Sequence, residues 1–137
     1  MTTLTTPVIS SITAGVLIIL QMALMLAVAR LRGPARQSLG DGGNPVLLAA
    51  MRRHGNLAEN AAMFVAALTL MELMGAARWY VLAVAGVFLA ARISHAIGLS
   101  LKDTVNPWRI AGAIGTVTAG VALGGRLILI AVAHLHA

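Results

Sequence analysis

Within the eight residues from Arg52 to Glu59 the chain places two guanidiniums (Arg52, Arg53), an imidazole (His54), an amide (Asn56) and a carboxylate (Glu59). At about 100° per residue of helix, Arg52, Asn56 and Glu59 fall within roughly 60° of one another on one face, beside Gly55 and Met63, while His54 points to the other side. Such a stripe suits a small zwitterion. A guanidinium clamps a carboxylate bidentately, an amide both donates and accepts, and a carboxylate meets an ammonium. The same residues serve equally well as a polar contact between helices, and the residues alone leave both roles open. Arg92 and His95, three apart, share a further helical face with Leu99, and that face can turn toward the first stripe. Arg109, two residues after Pro107, is a third candidate cation or simply an interfacial anchor. With no cysteine in the chain, disulfides, thiolate metal sites and a cysteine nucleophile are all excluded. Thiol chemistry would need a thiol carried by a ligand.

Other polar residues point to less. His134 and His136 offer two ligands on an unconstrained tail, a poor metal site, so no metal is expected. The GDGG stretch at 40–43 lacks the strand and helix context of a phosphate loop. Glu72 and Arg126 fall toward the end of the molecule away from the first loop and are expected to pair across it as a packing contact, while Met63 and Met71 read as packing residues.

The elements that must position these groups are membrane helices. Apolar side chains make up 59% of the 137 residues and charged ones 10%, with a mean hydropathy of +0.90. Soluble domains run to about 25% charged, so a water-facing surface cannot be built from this composition. Apolar stretches fall at about 8–29, 46–75, 79–101 and 108–135. Each is near the ~20 residues needed to cross a bilayer, and together they predict one all-α domain, an integral membrane bundle of four helices. The first ten residues hold no Lys or Arg, which predicts a retained first helix and not a cleaved leader. Residues 33–45, with two prolines and four glycines, are the one long loop, and Pro45 suits the first turn of the second helix. Trp79 and Tyr80 fall where an interfacial aromatic belt would lie, and Gly112, Gly115, Gly120, Gly124 and Gly125 permit close approach of the fourth helix.

Net charge is +6, but the basic residues sit at the ends of apolar stretches and not in a run with aromatics, which argues against a nucleic-acid partner. Arg30, Arg32, Arg36, Arg52 and Arg53 flank the first loop, Lys102 and Arg109 the third, and Arg78 alone the second. The positive-inside rule then puts loops one and three in the cytoplasm and both termini on the opposite side.

The segment GDGGNPVLLAAMRRHGNLAEN, residues 40 to 60, resembles the signature of the MAPEG family, the membrane-associated proteins in eicosanoid and glutathione metabolism. That family includes microsomal glutathione transferases, leukotriene C4 synthase and microsomal prostaglandin E synthase. Its core pattern of Arg, three residues, Asn, two residues, Glu is met by Arg52, Asn56 and Glu59, with His54 where members carry His or Gln. ARISH (91–95) is similar to the third helix of the family and PWR (107–109) to the entry of its fourth. The likeness covers nearly the whole chain and marks it as a bacterial-type member, expected in the inner membrane.

What the resemblance implies is a homotrimer with three sites between adjacent subunits, open toward the cytoplasm, each binding glutathione as cosubstrate. Arg52, Asn56, Glu59 and His54 would bind it, Arg92 and His95 would add to the pocket from helix 3, and Arg30 or Arg32 would reach in from a neighbouring helix 1. Arg109 would be the catalytic residue, stabilising the glutathione thiolate for attack on a lipophilic electrophile from the bilayer, or for peroxide reduction. The chain departs from the family in reading Asn60, Ala61, Ala62 after Glu59, where members carry Tyr and then Pro, and in placing Leu99 where several carry a tyrosine near the thiol. These departures keep a second function in view: a nonenzymatic membrane protein of the same fold that binds lipid or another lipophile. A small transporter is disfavoured by the few polar groups on the fourth helix and by the absence of interrupted helices.

Overall fold

Two Asn-Pro pairs start two of the four helices. Asn44 Oδ1 accepts from the Val46 and Leu47 N–H groups at 3.0 and 3.2 Å, and Pro45 occupies the first helical position, where its missing N–H costs nothing. Asn106 repeats the arrangement, its Oδ1 accepting from the Arg109 N–H at 3.0 Å ahead of Pro107. In the computed structural model, which describes residues 6–101, 103 and 105–135, these starts belong to α2 (Pro45–Leu73) and α4 (Pro107–Leu135). The other helices are α1 (Val8–Ala35) and α3 (Arg78–Gly98). No strand occurs among the described residues. Lys102 and His136, which entered the charge count and the metal question, lie outside them.

α1 runs six residues beyond the expected end near Ala29. Pro34 lies inside its last turn, and the helix stops only at Arg36, whose left-handed backbone (φ 50°) caps it. The proline forgoes one bond, the one its own N–H would make to the Arg30 carbonyl, and the residue it restricts is Gly33, which has no Cβ to clash with the ring. α2 ends in a Schellman cap: the Gly75 N–H bonds to the Glu72 carbonyl and the Ala76 N–H to the Met71 carbonyl, with Gly75 at φ 77°.

α1 packs along α2 and α3 along α4, with α2 also touching α3 and α4. Buried Leu57, Phe64, Leu68 and Met71 of α2 meet Val81, Val84 and Phe88 of α3, and the rings of Phe64 and Phe88 stack at 3.6 Å. The glycines of α4 divide into two groups. A Cβ on Gly112 would fall 2.6 Å from the His95 backbone nitrogen, and one on Gly115 would fall 2.9 Å from Ala91 Cβ, so these two let α4 lie directly on α3. Gly120, Gly124 and Gly125 face open space. Tyr80, expected at the membrane surface, turns inward and donates to the Ala122 carbonyl at 2.8 Å, while Trp79 stays exposed.

α1, α3 and α4 are each long and apolar enough to cross a membrane. α2 is equally long but misses that measure, because its first half carries Arg52, Arg53, His54, Asn56, Glu59 and Asn60. Outward-facing Ile12, Ile18, Ile19, Val117, Val121 and Ile128 form the apolar exterior that lipid solvates.

The expected Glu72–Arg126 pair is not formed. Glu72 is buried at the end of α2, where its carboxylate accepts from the Ile9 N–H (3.0 Å), the Ser10 N–H (2.8 Å) and the Ser10 hydroxyl (2.6 Å). Pro7 supplies no side-chain cap to α1, so these N–H groups would otherwise be unpaired, and a carboxylate also suits the positive end of the helix dipole. Arg126 is exposed on α4.

Candidate functional site

The first half of α2, the last turn of α3 and the first turn of α4 enclose a cleft of about 990 Å³, toward the upper end of the ~300–1,000 Å³ typical of small-molecule sites. α2 contributes Arg52, Arg53, Asn56 and Glu59, α3 contributes His95 and Leu99, and α4 contributes Arg109. The helical spacing therefore places Arg52, Asn56 and Glu59 on one wall, as their shared face requires, and His95 and Leu99 opposite them. Glycine sets the width between α3 and α4: a Cβ on Gly98 would lie 2.5 Å from the Arg109 nitrogen. Asn106 fixes the same junction, donating to the carbonyls of Gly98 and Asp103 at 2.8 Å while capping the turn that carries Arg109.

Arg92 stands behind the wall of the cleft. It is buried, and its guanidinium donates to the backbone carbonyl and Oδ1 of Asn56, to the Gly112 carbonyl and to the Thr116 hydroxyl, joining α2, α3 and α4. It also lies 5.6 Å from the centre of the Phe88 ring, a cation–π distance. Arg92 occupies one lone pair of Asn56 Oδ1 and so turns the amide oxygen toward itself, which leaves the NH₂ as the donor Asn56 offers a ligand.

His54 and Arg32 lie elsewhere. With Met25, Val28, Ala29 and Met51 they line a smaller, largely apolar groove of about 290 Å³ between α1 and α2. Arg32 organises the first loop, donating to the carbonyls of Gln37, Ser38 and Gly40 at 3.0–3.2 Å. Arg30 is exposed on α1 and lines neither cavity. In a single chain, then, His54, Arg30 and Arg32 do not join Arg52, Asn56 and Glu59. His134 bonds to the Ile130 carbonyl of its own helix, and no group of three or more metal-ligating side chains is clustered among the described residues.

Two residues of the site, the lining Arg53 and the capping Asn106, escaped sequence reasoning. Arg53 counts among the polar groups of the 52–59 stretch and the charges flanking loop one, with no binding role expected, yet it faces the cleft and donates to the Ser100 hydroxyl at 2.6 Å. The remaining signal was the Asn-Pro pair at 106–107, identical to the one at 44–45, which marks Asn106 as the cap of the Arg109 turn.

The family model described as the MAPEG family matches residues 10–129. The chain belongs to the MAPEG family. The match covers α2 and α3 and most of α1 and α4 of this MAPEG protein, including every residue that lines the cleft. Among curated proteins it is 33% identical over 108 residues to the inner membrane protein YecN of Escherichia coli strain K12, covering 79% of this chain and 81% of that protein. YecN of Escherichia coli O6:H1 strain CFT073 matches to the same extent. No solved structure gives a significant match. As a MAPEG protein with three membrane-capable helices, the chain is a helical membrane protein.

Proposed function

We propose that this MAPEG protein is a glutathione-dependent membrane transferase acting on lipophilic electrophiles, with peroxide reduction as a related activity. The observation that supports this most is the convergence of Arg52, Asn56, Glu59, His95 and Arg109 on one cleft. In the proposed complex Arg52 clamps a glutathione carboxylate, Glu59 meets the ammonium, and the Asn56 NH₂, set by Arg92, donates to a peptide or carboxylate oxygen. A free thiol ionises near pH 8.5, and a guanidinium beside it stabilises the thiolate. Arg109 has that role here: the thiol proton leaves to water, and the sulfur lone pair forms the new bond to the electrophilic carbon arriving from the lipid-facing side. As it forms, the bond from that carbon to its leaving group breaks and the leaving group departs with the electron pair. With a hydroperoxide the sulfur takes the terminal oxygen as the O–O bond breaks, the alcohol leaves, and a second glutathione converts the sulfenic acid to glutathione disulfide and water.

The active assembly in this proposal is a homotrimer. It is the arrangement in which His54 and either Arg30 or Arg32 of one copy can reach the cleft of the next, since within one chain α2 separates them from it. The membrane is the bacterial inner membrane, with loops one and three cytoplasmic and both termini outside. A C-terminal reporter that works only outside the cytoplasm should be active, and one that works only in the cytoplasm should be silent.

The deciding experiment is calorimetry of glutathione binding to detergent-purified protein. Micromolar to low-millimolar binding by wild type, lost in Arg52→Ala and Glu59→Ala proteins that keep their helical content, is the expected result. Absence of binding by wild type refutes the proposal. One observation favours a second function: Leu99 puts an apolar side chain on the wall where a tyrosine would serve the thiol, beside apolar Val46, Leu48 and Leu101. A nonenzymatic lipid or lipophile binder would show ligand binding without turnover.

A further inference from the structure

The cleft carries more positive charge than the helix 2 stripe by itself explains. Arg52, Arg53 and Arg109 line it against one carboxylate, Glu59. Among the other carboxylates, Glu72 is bound at the far end of α2 and Asp41 accepts from the Gly43 N–H in loop one, while Asp103 is exposed in loop three and does not line the cleft. Arg53 is half-buried, so its charge is only partly hydrated. One of its N–H groups donates to Ser100 Oγ, whose own proton is used on the Ala96 carbonyl. The Nε–H is shielded from water and has no acceptor. Three guanidiniums around one cleft repel each other, Arg53 being the least hydrated of them, and an occupant with matching negative charges offsets that repulsion.

We infer that Arg53 is a ligand-binding residue that pairs with a second carboxylate of the occupant and so selects dianionic over monoanionic thiols. The inference rests on the proposed glutathione site and deepens it. Glutathione in its thiolate form has three anionic groups and one ammonium, which complement three guanidiniums and one carboxylate. With Arg52 on one carboxylate, Arg109 on the sulfur and Glu59 on the ammonium, Arg53 is the remaining guanidinium that this chain itself brings to the cleft, and the glycine carboxylate falls to it together with whatever cation a neighbouring copy contributes. Turning from Ser100, Arg53 presents Nε–H and an Nη–H side by side, the fork that receives a carboxylate bidentately.

The test compares glutathione with its glycine monoethyl ester, which lacks only that carboxylate charge, by calorimetry on detergent-purified wild type, Arg53→Ala, Arg53→Lys and Ser100→Ala proteins. Arg53→Ala should weaken glutathione binding roughly tenfold to a hundredfold while changing ester binding by less than about twofold. Arg53→Lys keeps the charge but loses the fork, and should show a smaller loss with the same discrimination; it carries the test if the alanine variant does not fold. Ser100→Ala should bind glutathione as well as wild type or better. Equal losses for both ligands, no loss, or the same loss in Ser100→Ala would overturn the assignment and leave Arg53 as a tie between α2 and α3, with glutathione binding by wild type still standing. Failure of wild type to bind glutathione would overturn this inference and the proposed function together.

Discussion

A side-chain amide can present either its oxygen or its NH₂, and at Asn56 the choice is made by Arg92, whose guanidinium donates to Oδ1 and to the backbone carbonyl of the same residue. In the proposed complex Arg92 therefore acts on glutathione through Asn56 and not by contact. Replacing it with Met keeps most of the volume but leaves the Asn56 Oδ1 without the Arg92 donor, while the Gly112 carbonyl keeps the Thr116 hydroxyl. Thermal unfolding in detergent should show a loss of about 1–3 kcal/mol, and glutathione affinity should fall together with donor-dependent selectivity at Asn56. If Arg92→Met binds as tightly as wild type, the amide is set by other neighbours. Arg109 differs in kind, because its proposed partner is the sulfur. Arg109→Ala should lower turnover of a model electrophile on the order of 10²-fold, the scale of losing one stabilising group for a developing or standing anion, with a much smaller change in glutathione affinity measured by calorimetry. An unchanged rate would remove Arg109 from the mechanism.

At the scale of the elements, the cleft depends on how closely α4 starts beside the end of α3. Gly98 abuts the Arg109 backbone, and Gly112 abuts His95. A valine at Gly98 cannot be accommodated by moving a flexible side chain, because the atoms it meets are backbone. Gly98→Val should therefore cost about 1–3 kcal/mol in detergent stability, as overpacking does, and displace the turn that carries Arg109. The measurement that separates these effects is turnover at saturating glutathione, which should drop even in molecules that remain folded. A Gly98→Val protein with wild-type turnover would show that the contact does not set the position of Arg109. Asn106 supports the same junction from the other side, by capping α4 and holding the Gly98 carbonyl.

Across the whole molecule, the two ends are held by different chemistry. The end bearing the cleft is rich in guanidiniums, while the opposite end is closed by one carboxylate, Glu72, bound to the first turn of α1. Removing that carboxylate leaves two backbone N–H groups and a hydroxyl unpaired in a buried position. Glu72→Ala should lower stability by several kcal/mol at most, with about 1–3 kcal/mol expected per orphaned group, and Glu72→Gln by less, since the amide oxygen still accepts. Because the cleft lies at the other end of α2, molecules of either variant that remain folded should bind glutathione with unchanged affinity. A change in affinity without a change in stability would show that the ends are coupled.

Composition and hydropathy alone required a helical membrane protein, because so few charges cannot cover a water-facing surface. The 3.6-residue period required Arg52, Asn56 and Glu59 to share a face, and His95 and Leu99 to share another, whatever the packing. Helix ends were less legible: Pro34 looked like a breaker, yet a proline in a final turn removes little. Partner choice was not legible at all. A helical period tells which residues look the same way but not what they look at, so Glu72 was matched to Arg126 by level along the helices, and tertiary packing instead brought the first turn of α1 against it. The same limit hid Arg53, about 100° around the helix from Arg52. Its place in the cleft follows from the position of Ser100, just past the end of α3, and only the packing of α3 beside α2 decided that.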